Sequence, residues 1–87
     1  MQLRSYRELA KLTLQQVADG VGLANPTVVR RHERGDAHPD ATTIERYRAF
    51  TQGAVTERDW HELRLEREQE TALAAAQPQS KEQIHAR

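Results

Sequence analysis

The sequence predicts an all-α domain of five helices that continues into a helical extension, and three observations carry that expectation. Apolar residues recur at spacings of three and four, the period of a helix with one buried face. Start and stop signals punctuate the chain between those stripes. There is no cysteine, so helix packing rather than a disulfide or thiolate metal site must stabilise the fold.

The first helix is expected over about residues 2–11, with Leu3, Tyr6, Leu9 and Ala10 on its apolar stripe. Thr13 then opens a T-x-x-Q capping box with Gln16, and Leu14, Val17, Ala18 and Val21 form the buried face of a second helix. Gly22 stands where a left-handed residue closes that helix, and Ala18 permits close approach of a neighbour. Gly20 breaks the pattern, since a glycine inside a helix costs about 1 kcal/mol relative to alanine.

Asn25 and Pro26 are start signals for a third helix over residues 26–34, stopped by Gly35. Asp40 caps a fourth helix, DATTIERYRAFTQG, whose Ile44, Tyr47 and Phe50 share one stripe and whose end is Gly53. Thr56 and Asp59 form a second capping box, and Val55 with Trp60 occupies the positions of a hydrophobic staple, so a fifth helix begins there. Beyond Leu65 the run EREQETALAAAQ favours helix without a distinct apolar face. The expected organisation is a folded domain over 1–65, a helical extension over 66–77 ended by Pro78, and a disordered tail over 78–87.

Length and composition narrow the function. An 87-residue chain buries a modest core, which disfavours a deep enzymatic cleft. The serines Ser5 and Ser80 lack a His/Asp constellation, and no glycine-rich phosphate loop occurs, so no catalytic residues are expected. The four histidines, His32, His38, His61 and His85, show no metal-ligand spacing, so neither a metal nor another cofactor is expected. The pair Glu57 and His61, four apart, reads as a surface interaction. No apolar run approaches the roughly 20 residues of a membrane span, and the charged start MQLRSYRELAK is unlike a signal peptide; a cytoplasmic location is expected. The 13 Lys+Arg balance the 13 Asp+Glu, with a mild excess of positive charge in the first half.

The segment NPTVVRRHERG concentrates the basic character. At about 100° per residue, placing Val29 inward brings Pro26, His32 and Glu33 beside it and turns Thr27, Arg30, Arg31 and Arg34 outward. The register with Val28 innermost would carry Arg31 into the core, where an unpartnered guanidinium is costly. Two readings fit the outward face: a solvated charged surface, or a helix that meets the major groove, where arginine pairs with guanine and a threonine methyl meets thymine.

From Leu3 to about Leu63 the sequence resembles the Cro/repressor-type helix-turn-helix family of phage and bacterial regulators, through LRSYRELAKLT, LQQVADGVGL, TVVRRHERG and IERYRAFTQGAVTERDW in that order. The resemblance implies that residues 13–21 lie across the DNA backbone while residues 26–34 enter the major groove. It implies base contacts from Thr27, Val28 and Arg31, phosphate or flanking-base contacts from Arg30 and Arg34, and a DNA-facing Asn25 at the helix start. Where the family commonly has a phosphate-binding glutamine this chain has Leu14, leaving Gln15 or Gln16 in that role. Arg7 and Glu33 correspond to a structural ion pair. The loop GDAHPD is acidic at Asp36 and Asp40, where the family is often basic.

The function so implied is a repressor that binds a pseudo-palindromic operator in double-stranded DNA as a homodimer. The competing expectation is a protein-interaction module, an antitoxin or antiactivator, which holds a protein partner through the fifth helix and tail.

Overall fold

The computed structural model describes residues 1–85, and their side chains through Ala75. Five helices follow in order: α1 (Leu3–Ala10), α2 (Leu14–Val21), α3 (Pro26–Arg34), α4 (Ala41–Phe50) and α5 (Glu57–His85). Among the described residues there is no strand, and no helix is long and apolar enough to cross a membrane.

Local chemistry sets the boundaries. Thr13 and Gln16 satisfy each other's amides in a complete capping box: Gln16 N donates to Thr13 Oγ1 at 3.0 Å and Thr13 N to Gln16 Oε1 at 2.8 Å. Gly22 closes α2 and Gly35 closes α3 at φ of 82° and 79°, left-handed backbone that glycine adopts without a side-chain penalty. The Asn25 side chain caps α3 by accepting from Val28 N, and Asp40 caps α4 by accepting from Thr43 N. α4 ends at Phe50, and the backbone turns left-handed at Gln52 and Gly53, with φ of 56° and 87°; the buried Thr51 hydroxyl braces this turn, donating to the Tyr47 carbonyl at 2.8 Å and accepting from Val55 N at 3.0 Å. The second capping box takes another form than the sequence suggests. The Asp59 carboxylate accepts from both the Thr56 amide and the Thr56 hydroxyl, so the hydroxyl donates to the carboxylate and does not accept from a backbone amide.

The core collects Leu3, Val17, Ala18, Val21, Val29, Ile44, Tyr47, Val55 and Trp60, with Tyr6, Leu12, Leu14, Leu23, Phe50 and Leu63 packed around it. Every helix contributes, and the expected Val55–Trp60 staple lies wholly inside. Leu9 departs from the expected stripe of the first helix: it is 72% exposed, because no element covers that side of α1. Gly20 acquires a reason. A Cβ there would stand 2.6 Å from Phe50 Cδ1, so the absent side chain is what lets the ring lie on α2.

The tail requires a correction. Pro78 does not end α5, and the expected disordered stretch from residue 78 is helical to His85; residues 86 and 87 lie outside the described residues. A proline removes one helical hydrogen bond and crowds the preceding turn, which kinks a helix as readily as it ends one. Here Ala72, Ala74, Ala75 and Ala76 precede it and Lys81, Glu82 and Gln83 follow, all strong helix formers that sustain the turns on both sides.

Candidate nucleic-acid interface

The turn after Gly22 delivers the chain to Asn25, and α3 packs against α2 through Val29, which is 0% exposed, opposite the buried Val17, Ala18 and Val21. The 3.6-residue period then fixes every other side chain of α3. His32 and Glu33 are buried beside Val29; Thr27, Arg30, Arg31 and Arg34 are exposed; Val28 is half-buried on one flank. This is the register in which no arginine enters the core.

Two polar attachments hold the inner side of α3. Glu33 receives Arg7 of α1 in a bidentate ion pair, Nε to Oε2 at 2.6 Å and Nη2 to Oε1 at 3.2 Å, while Arg7 Nη1 donates to the Leu12 carbonyl at 3.1 Å. Hydrogen bonding to Glu33 raises the guanidinium pKa further, so the pair stays ionised. His32 Nδ1 lies 2.8 Å from the Tyr47 hydroxyl, and its ring stands edge-on to both Tyr47 and Trp60. Burial pushes the His32 pKa down and the Tyr47 hydroxyl's up, which keeps both groups neutral near pH 7. The Trp60 indole N–H is buried with no hydrogen-bond partner among the described residues.

The sequence-derived site residues fall into separate places. Thr27 and Arg31 point away from the core, with Val28 at their edge. Arg30 and Arg34 turn instead toward α1, where they line a groove of about 590 Å³ with Arg4, Arg7, Leu14 and Glu33. Arg4 is a basic residue that the sequence reading did not single out; its exposure and its position three before Arg7 were the available signals. Gln15 and Gln16 are exposed in the first turn of α2, Gln15 donating to Asp19 and Gln16 held in the capping box. Asn25 is exposed, with its side-chain oxygen committed to the α3 cap.

No protein-family model, curated protein or solved structure matches this chain.

The acidic loop is less repulsive than its sequence suggests. Asp36 accepts from Arg67 of α5 at 2.9 Å and lies 3.7 Å from Arg34, so two cations answer its charge. Asp40 is engaged at the start of α4, and hydrogen bonds from Thr43 hold its carboxyl below the ordinary range. Among the described residues no three His, Asp or Glu side chains gather into a set that would hold a metal ion.

Proposed function

We propose that this chain is a sequence-specific DNA-binding regulator of transcription, with α2 and α3 as a Cro/repressor-type helix-turn-helix. One observation carries the reading: α3 is anchored through Val29, His32 and Glu33 while it presents Thr27, Arg30, Arg31 and Arg34 to solvent. Arg31 pairs bidentately with a guanine, the Thr27 methyl meets a thymine, and Val28 makes apolar contact beside them. α2 lies across the backbone, where Gln15, Gln16 and Asn25 approach phosphates. Two copies bind half-sites about one helical turn apart, and occupancy of the operator blocks a promoter without an enzymatic step or cofactor.

A second reading, a module that holds another protein, rests on the far part of α5, where Leu73 is 61% exposed and residues 72–75 are all exposed. Arg67 reaches Asp36, and Arg67 and Thr71 line a cleft that α5 forms with Gly35 and His38, so a truncation that spares the domain ends after Thr71.

Fluorescence-anisotropy titration against the chain's own upstream DNA and a scrambled duplex tests the proposal. Wild type and a chain ending at Thr71 should both prefer the upstream sequence, and Arg31→Ala should lose about 1–3 kcal/mol of discrimination. Equal, weak binding of wild type to both duplexes would refute the regulator and favour the protein-binding module.

A further inference from the structure

We infer that the groove between α1 and α3 is a seat for a single phosphodiester, held by Arg4, Arg30 and Arg34 and separate from the base-reading residues. This rests on the DNA-binding reading above and divides its site into two parts.

The geometry of α3 makes the division. Taking Val29 as inward, Arg30 and Arg34 lie about 100° and 140° around the helix, on the flank that also carries Glu33 and faces α1. Arg31 lies about 200° around, on the outward side, and Thr27, at about 160°, is near Arg34 in angle but stands seven residues, about 10 Å along the axis, toward the helix start. The groove is accordingly lined by Arg30 and Arg34 and not by Arg31, Thr27 or Val28.

Charge points to the occupant. Arg7 and Glu33 neutralise each other in the floor of the groove, and all of Arg7's hydrogen-bonding nitrogens are engaged. The remaining three guanidiniums are poorly matched within the protein. Arg4 meets Glu8 at 3.5 Å with both side chains largely exposed, a pair of little strength in water. Arg34 is 3.7 Å from an Asp36 already engaged by Arg67, and Arg30 makes no ion pair among the described residues. Three such cations converge on a space of about 590 Å³, roomy enough for a phosphate with its flanking sugars. The planar fork of arginine matches phosphate oxygens bidentately, and Leu14 adds the positive end of α2 at the rim.

The rigid floor matters as much as the charge. Because Arg7 ties α1 to α3, the backbone that carries Arg4 is fixed across from the backbone that carries Arg30 and Arg34 before any ligand arrives, so only the exposed side chains remain to be ordered on binding.

The test compares wild type, Arg4→Ala and Arg31→Ala against the upstream and scrambled duplexes over a salt series, with thermal melts to confirm folding. Arg4→Ala should weaken both duplexes by the same factor, roughly tenfold at low salt, and reduce the salt slope by about 0.9. Unchanged affinity and slope, or a changed ratio between the duplexes, would overturn the assignment. If wild type binds neither duplex the regulator reading fails by itself, and NMR of the arginine Nε–H groups during titration with inorganic pyrophosphate decides the groove. Saturable shifts at Arg4, Arg30 and Arg34 would retain a site for free phosphates, and their absence would remove it.

Discussion

Arg7 grips Glu33 across a sequence separation of 26 residues through two hydrogen bonds, the shorter 2.6 Å, and so joins α1 to the inner side of α3. The Glu33 side chain is 5% exposed, so its charge depends on that partner. Arg7→Ala should cost about 3 kcal/mol in urea denaturation, because it strands a buried carboxylate. The double change Arg7→Met with Glu33→Leu should recover most of that loss, since two packed apolar chains need no partner. A double variant as unstable as the single would show that the helices are held chiefly by other contacts.

Gly20 and Phe50 exchange roles in a similar way. Alanine at position 20 gains about 1 kcal/mol of helix propensity but collides with the Phe50 ring, an overpacking cost of about 1–3 kcal/mol. Gly20→Ala should therefore destabilise the wild type, while the same change in a Phe50→Ala background should stabilise it. Chemical denaturation of the four proteins measures the reversal; the same sign in both backgrounds would mean that the ring swings aside freely.

Acid should loosen the anchor of α3 before it titrates the carboxylates. Burial depresses the His32 pKa, with a smaller lowering from His38 and an opposing pull from Asp40. A base depressed in the folded state is protonated more readily when unfolded, so stability is full above the unfolded value of about 6.5 and falls as pH drops below it. The carboxyls of Asp40 and Glu45 are held below their ordinary values by hydrogen bonds from Thr43 and Arg48 respectively, so their contributions disappear only at more acid pH. Urea midpoints measured from pH 8 to pH 5 should decline in wild type and decline less in His32→Gln. Parallel curves would remove His32 as the cause.

Much of the local structure was legible from residue types because its causes act within one turn. The Thr13 box, the Asn25 and Asp40 caps and the left-handed glycines Gly22 and Gly35 are each built from neighbours in sequence. The register of α3 followed from one rule, that an unpartnered arginine stays out of the core, and that rule also placed His32 and Glu33 on the inner side.

Other features depended on which helices meet. Leu9 has helical spacing like Leu3, yet nothing covers it, and periodicity alone does not tell how wide a stripe a small domain can bury. Gly20 read as a blemish until Phe50 was placed on it. Pro78 read as a stop because its local cost was weighed without the strong helix formers on both sides.

The amino-acid sequence by itself determined the helix starts, the turns and the inward and outward sides of α3, since backbone capping and charge burial are settled over a few residues. Tertiary structure decided that Arg4 joins Arg30 and Arg34 around one groove while Arg31 stands apart, and that Arg67 answers Asp36. Those groupings arise from side chains distant in sequence, and only the packing of α1 and α5 against α3 and its following loop brings them within reach of one another.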